Sequence, residues 1–144
     1  MLKGFGDNDN IKGGAGSDTL FGGAGKDVLT GGTGRDFFVF DTAASSANVD
    51  KITDFNGDEN DKIQFSSAVF KGFNHLGALS VDEFYAADGA KAAHDASDRV
   101  IYDTLSGKLY YDADGLGGAA ATLVAVLGTS NHPVLIYTDL QIIA

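Results

Sequence analysis

Four large apolar residues, Ile11, Leu20, Leu29 and Phe38, recur at nine-residue intervals, and each stands two positions after an aspartate: Asp9, Asp18, Asp27 and Asp36. Four tandem nonapeptides carry the pattern: Gly4 to Lys12, Gly13 to Phe21, Gly22 to Thr30 and Gly31 to Val39. Their last three residues, such as Thr19-Leu20-Phe21 and Val28-Leu29-Thr30, are rich in β-branched and large apolar side chains but long enough only for a very short strand. Each strand then offers one inward side chain. The pattern predicts two facing parallel sheets with one strand per half turn, a full turn of two units, and a narrow core of the four eighth-position residues.

Beyond the repeats the pattern changes. Phe37-Phe38-Val39-Phe40 is a longer apolar run, so the last rung is expected to widen, and Asp41 to Asn48 reads as a loop. Val49 to Phe55 and Lys62 to Phe65 alternate with period two around an acidic turn that contains Asp58, Glu59 and Asp61. These three acids read as solvated. Ser80-Val81-Asp82-Glu83 fits a capping box and predicts a short helix through about Ala86, followed by a loop over 87–98. Arg99 to Asp103 and Lys108 to Asp112 read as a hairpin, and Ala121 to Leu127 and Asp139 to Ile143 as the last strands. The expected class is all-β with at most one or two short helices.

The chemistry sits in the glycines and aspartates. Glycines at the first, second and fourth positions let the first six residues bend sharply and turn carbonyl oxygens inward. With eighteen residues per turn, Asp9 lies above Asp27 and Asp18 above Asp36. Rungs of a parallel stack are about 4.8 Å apart, and two carboxylates that close repel by roughly 3 to 4 kcal/mol at an effective dielectric near 20. A hard divalent cation reverses that sign, and ligation by oxygen alone in a flexible cage suits Ca²⁺ over Zn²⁺. The candidate ligands are Asp9, Asp18, Asp27 and Asp36, with Gly14, Gly16, Gly23, Gly25, Gly32 and Gly34 at the bends and Asp7 at the fourth position of the first unit. The competing reading is a run of Asx turns in a glycine-rich linker. Nucleotide readings fail, because Gly23-Ala24-Gly25-Lys26-Asp27 lacks the last glycine of a dinucleotide fingerprint and places Asp27 where a P-loop needs Ser or Thr.

Composition narrows the function. The 144 residues are 44% apolar with a formal net charge of −10, enough for one domain with a core. Acidity concentrates after residue 40, which disfavours nucleic acid and anionic membranes and favours divalent cations. There is no cysteine, no apolar run of membrane-spanning length, and no N-terminal signal pattern. Because repeats follow Met1 at once, the chain reads as the end of a longer protein. No enzyme is expected: HExxH is absent, His75, His94 and His132 stand apart, and Gly128-Thr129-Ser130-Asn131-His132 lacks the closing glycine of a nucleophile elbow. Asp112-Ala113-Asp114-Gly115 lacks the remaining ligands of an EF-hand loop and reads as a turn.

The nonapeptides resemble the calcium-binding repeat of RTX proteins. The resemblance continues through Gly31 to Phe40, Val49 to Phe55, Asp61 to Ile63, Arg99 to Asp103, Tyr111 to Gly115 and Asp139 to Ala144, an order similar to the serralysin-type C-terminal domain. The pattern departs at Phe5, Asn10 and Gln141. The resemblance implies a right-handed parallel β-roll over residues 1–40, capped by a β-sandwich-like lobe over 41–144 as one structural domain. It also implies several Ca²⁺ ions, folding outside the cell, and a type I secretion apparatus that reads an uncleaved C-terminal signal. Any catalytic domain would lie upstream. Asp139 to Ala144 reads both as that signal and as an ordinary last strand; Asp50 and Asp54 resemble residues that close the calcium site at the end of the roll, or form a solvated strand edge. The roll also resembles modules appended to alginate epimerases, which makes a calcium-dependent polysaccharide-binding module the alternative.

Overall fold

The computed structural model describes residues 1–144. Thirteen strands form it: β1 (Leu2–Lys3), β2 (Asn10–Ala15), β3 (Thr19–Phe21), β4 (Val28–Thr33), β5 (Phe37–Phe40), β6 (Asp50–Ile52), β7 (Lys62–Ser66), β8 (Gly77–Ala78), β9 (Phe84–Ala87), β10 (Val100–Asp103), β11 (Lys108–Tyr111), β12 (Thr122–Leu127) and β13 (Leu140–Ile143). The chain alternates between two sheets through its first seven strands, giving the orders β1-β3-β5-β7-β13-β8 and β2-β4-β6-β12-β11-β10-β9. The strands within each sheet are parallel from β1 to β7 and from β2 to β6, as a chain that returns to the same sheet every second strand requires. There is no α-helix; three single 3₁₀ turns occupy Gly57–Glu59, Val81–Glu83 and Tyr137–Asp139.

Register turns the nine-residue period into a core. In the first sheet Leu2, Leu20, Phe38, Ile63 and Leu140 stand opposite one another in successive strands. In the second, Ile11, Leu29, Ile52 and Leu127 do the same. Leu20, Leu29, Phe38, Ile52, Ile63, Leu127 and Leu140 are fully buried. Both ladders therefore run past the repeats without a break. Beyond β7 the core broadens around aromatic rings, with Phe65 against Phe40, Phe70 and Phe73, and Phe70 edge-on to Tyr111.

The hairpin forms as expected, with Asp103 paired to Lys108 and Val100 to Tyr111. The helix expected from Ser80 to Ala86 does not. Glu83 does reach back to the Ser80 N–H at 2.9 Å and hydroxyl at 3.0 Å, but the turn stops there, because Phe84 to Ala87 pairs in parallel with β10. Sheet pairing outcompetes a helix with one turn of local support. The strand expected over Val49 to Phe55 shortens to Asp50–Ile52.

Phe38 lies between Leu20 and Ile63 and 6.3 Å from the Phe55 ring. Denaturant unfolding in calcium should show Phe38→Ala losing about 3 to 5 kcal/mol of stability. Phe21→Ala, on the outer face beneath Lys3, should lose much less.

Candidate metal centre

The loops between strands stack as the strands do. Each repeat aspartate is positioned from both sides. Its carbonyl accepts from the strand of the next turn, as in Val28 N–H to Asp9 O, Phe37 to Asp18, Lys51 to Asp27 and Lys62 to Asp36, at 2.7 to 2.8 Å. Its own N–H donates to the carboxylate one turn on: Asp9 to Asp27 Oδ1 at 2.8 Å, Asp27 to Asp50 Oδ1 at 3.0 Å, Asp18 to Asp36 Oδ1 at 2.8 Å and Asp36 to Asp61 Oδ1 at 2.8 Å. Two columns result: Asp9, Asp27 and Asp50 beside one sheet, Asp18, Asp36 and Asp61 beside the other.

The second oxygens differ. Oδ2 of Asp9, Asp27 and Asp36 is buried and has no hydrogen-bond partner. An unpaired buried carboxylate oxygen costs free energy unless a cation meets it. No side chain supplies one: the ion pairs of the chain are Lys62 with Asp139, His75 with Glu83 and His94 with Asp95, all outside the columns. The first-position glycines keep the space beside these oxygens clear. A Cβ on Gly4 would fall 2.4 Å from Asp9 Oδ2, on Gly13 2.8 Å from Asp18 Oδ2, and on Gly31 2.4 Å from Asp36 Oδ2. On Gly22 it would fall 2.4 Å from Asp27 Oδ2 and 2.9 Å from Asp50 Oδ2. The Gly22 and Gly31 carbonyls border the same spaces, each 2.5 Å from the Cβ that Gly4 or Gly13 would carry. An all-oxygen cradle holding unpaired carboxylate oxygens fits a hard divalent cation.

Glycines at the second and fourth positions have another reason. Gly14, Gly16, Gly23, Gly25, Gly32 and Gly34 all have φ between 96° and 135°. A Cβ on Gly32 would also lie 1.8 Å from the Gly14 carbonyl oxygen one turn away. The first unit meets the same requirement without glycine. Phe5 and Asp7 hold φ of 75° and 69°, a conformation that costs a residue with a Cβ about 1 to 2 kcal/mol.

Electrostatics bears out the crowding. Burial raises the carboxyls of Asp36 and Asp61, and negative neighbours add to it: Asp18, Asp54 and Glu59 around Asp36, Asp36 and Asp54 around Asp61. Burial pushes Asp50 up to about 7, offset by the Asp27 N–H and reinforced by the Asp27 charge.

All four repeat aspartates and Asp50 are thus brought into the columns. Asp7 is exposed, its carbonyl 2.0 Å from the Cβ that Gly25 would carry. Asp54 accepts from Gly31 N–H at 2.9 Å and Gly32 N–H at 2.8 Å, one per oxygen, so it grips the last repeat loop. The acidic turn is solvated only in part. Asp58 and Glu59 are exposed as expected, although Glu59 Oε2 accepts from Gly34 N–H at 2.6 Å; Asp61 instead is buried in the second column, its Oδ2 accepting from Asn56 N–H at 2.8 Å. The signal for Asp61 was in the sequence. Asp50-Lys51-Ile52 and Asp61-Lys62-Ile63 repeat the aspartate-x-apolar triplet of Asp27-Val28-Leu29 and Asp36-Phe37-Phe38, without the glycines and after longer loops. Asp112 forms the expected turn, Oδ1 accepting from Gly115 N–H at 3.0 Å.

Residues 3–38 match the family model of the RTX calcium-binding nonapeptide repeat, in four copies. No curated protein sequence matches the chain. No helix is long and apolar enough to cross a membrane.

Two substitutions test the loop geometry in opposite directions. Gly22→Ala places a methyl against Asp27 and Asp50 and should raise the calcium midpoint of folding by about tenfold or more. Phe5→Gly removes a strained φ from an exposed residue and should stabilise the calcium-loaded protein by about 1 kcal/mol in a denaturant titration.

Proposed function

We propose that this chain is a calcium-triggered folding module whose repeats, as a right-handed parallel β-roll with the later strands as its cap, form only when calcium fills the carboxylate columns. The observation that carries it is the set of buried, unpartnered Oδ2 atoms on Asp9, Asp27 and Asp36 beside glycine-lined spaces. Asp9, Asp18, Asp27, Asp36 and Asp50 would hold the ions, with glycine carbonyls of the loops completing an oxygen shell. Bound calcium supplies positive charge between carboxylates that otherwise repel. The protein's own part is positional. Asp27, Asp36 and Asp50 each use Oδ1 to fix the N–H of the aspartate one turn earlier, which orients Oδ2 into the cradle, and the glycines keep side-chain atoms out of it.

The first three repeats each place a single apolar side chain in the core and so bury little apolar surface per rung, which couples ordering of the repeats to metal binding. A chain unfolded where calcium is scarce and folded where it reaches about 10⁻⁴ to 10⁻³ M suits passage through a narrow exporter. The reading therefore extends to a secreted, extracellular protein that leaves by a type I secretion apparatus, with Asp139 to Ala144 as the C-terminal signal and any catalytic domain upstream. Leu140 and Ile142 pack in the core, so the tail is a last strand as well, and the two roles belong to different states of the chain.

Far-UV circular dichroism during calcium titration should show a steep rise in β signal that magnesium does not reproduce. Asp27→Asn should shift the midpoint to about tenfold higher calcium. A spectrum already folded in chelator would sink the proposal.

A second reading, a calcium-dependent binding module for acidic polysaccharide, has one observation in its favour. Lys3 lies over the Phe21 ring at 4.2 Å and Arg35 over Phe37 at 4.7 Å on one outer sheet face. Retardation on an alginate gel in calcium, lost on Arg35→Glu, would favour it.

A further inference from the structure

The segment between β12 and the turn at Tyr137–Asp139 bends at residues 129–131 and then runs along the surface to Ile136, which is extended, apart from the carboxylate columns. It is pinned from within: Leu135 is buried in the core, Tyr102 Oη donates to the Pro133 carbonyl at 2.7 Å, and Ile136 N–H donates to Asp139 Oδ2 at 3.1 Å. Outside it is bare. Val134 is 84% and Ile136 51% exposed, and the backbone N–H and C=O groups of Val134 and Leu135 make no hydrogen bond within the chain. Protruding apolar side chains next to unpaired backbone groups are what an added strand recognises.

Beside this segment lies a cavity of about 450 Å³, walled by Phe55, Pro133, Val134 and Ile136 and bordered by Asp58 and Asp139. Asp139 is 5% exposed, with Oδ1 3.1 Å from Lys62 Nζ. Asp58 is exposed and has no cationic partner. Apolar walls with the free Asp58 carboxylate at the border are the complement of a side chain with an apolar stem and a cationic head. We propose that this groove binds an extended basic segment of a partner protein, with an arginine side chain entering the cavity and the backbone lying along Val134 to Ile136. A second copy of the chain is the poorer occupant, because each carries a net charge of −10 and would bring the same acidic border to the contact. A free small cation would leave the extended segment unused.

The test is fluorescence anisotropy in calcium, on protein whose circular dichroism shows it folded, with a labelled acetyl-Val-Thr-Arg-Val-Thr-Val amide. The arginine peptide should bind about tenfold or more tightly than the same peptide with glutamate in place of arginine. Asp58→Lys and Val134→Asp, both at exposed positions, should each weaken it by about tenfold with unchanged circular dichroism. Equal binding of the two peptides, unchanged affinity in both variants, or displacement by N-acetylarginine methylamide at the peptide's own concentration would overturn the proposal. So would a dimer in sedimentation velocity that Val134→Asp abolishes, since the groove would then belong to a second copy.

Discussion

Parallel register at the spacing of a sheet stacks identical residues one above another, and in this chain the residue that recurs beside each strand is an aspartate. Everything else follows from how that charge is accommodated. The carboxylates cannot move apart, because the same register holds the ladders of Leu20 with Phe38 and Ile11 with Leu29. Asp27 and Asp36 cannot turn to solvent, because Oδ1 is committed to the N–H of the previous turn and Oδ2 is enclosed. Nor does the chain bring a lysine or arginine to them. What remains is a row of oriented, unpaired oxygens, and that is a binding site for cations before any ligand is considered.

The later part of the chain continues the stack with different means. Asp50 and Asp61 enter the columns, and Ile52 and Ile63 the ladders, although the loops leading to them carry no glycine pattern. Their turns are held by side chains: Asp54 on Gly31 and Gly32, Glu59 on Gly34, Asn48 Oδ1 on Gly25 N–H at 3.0 Å. A second loop chemistry thus replaces the first without disturbing the register.

Sequence alone was enough to read the repeats, their inward residues and the pairing of Asp9 with Asp27 and Asp18 with Asp36, because a strict period maps directly onto a stack. It was enough for the 99–112 hairpin, which is local. It was not enough for Glu59 and Asp61, which look like any acidic turn until the longer spacing from Asp36 is set aside and the aspartate-x-apolar triplet is read in its place. Nor did it find strand Phe84 to Ala87, since the capping box at Ser80 is genuine and only a partner 16 residues on, Val100 opposite Phe84, decides against a helix. Phe5 looked like a departure from the repeat; the backbone shows that it obeys the repeat at a conformational cost, as does Asp7.

The distribution of satisfied and unsatisfied oxygens sets a direction along the stack. At its inner end Asp54 and Asp61 have both oxygens occupied by backbone N–H groups, so neither the half-buried Asp54 nor the buried Asp61 leaves an oxygen for a cation to satisfy. Within the repeats Asp9, Asp27 and Asp36 each retain an unpaired Oδ2. Protein hydrogen bonds alone therefore anchor the last repeat loop to the later strands, the unpaired oxygens lie in both columns up to Asp36, and Phe5 and Asp7 add backbone strain at the first repeat.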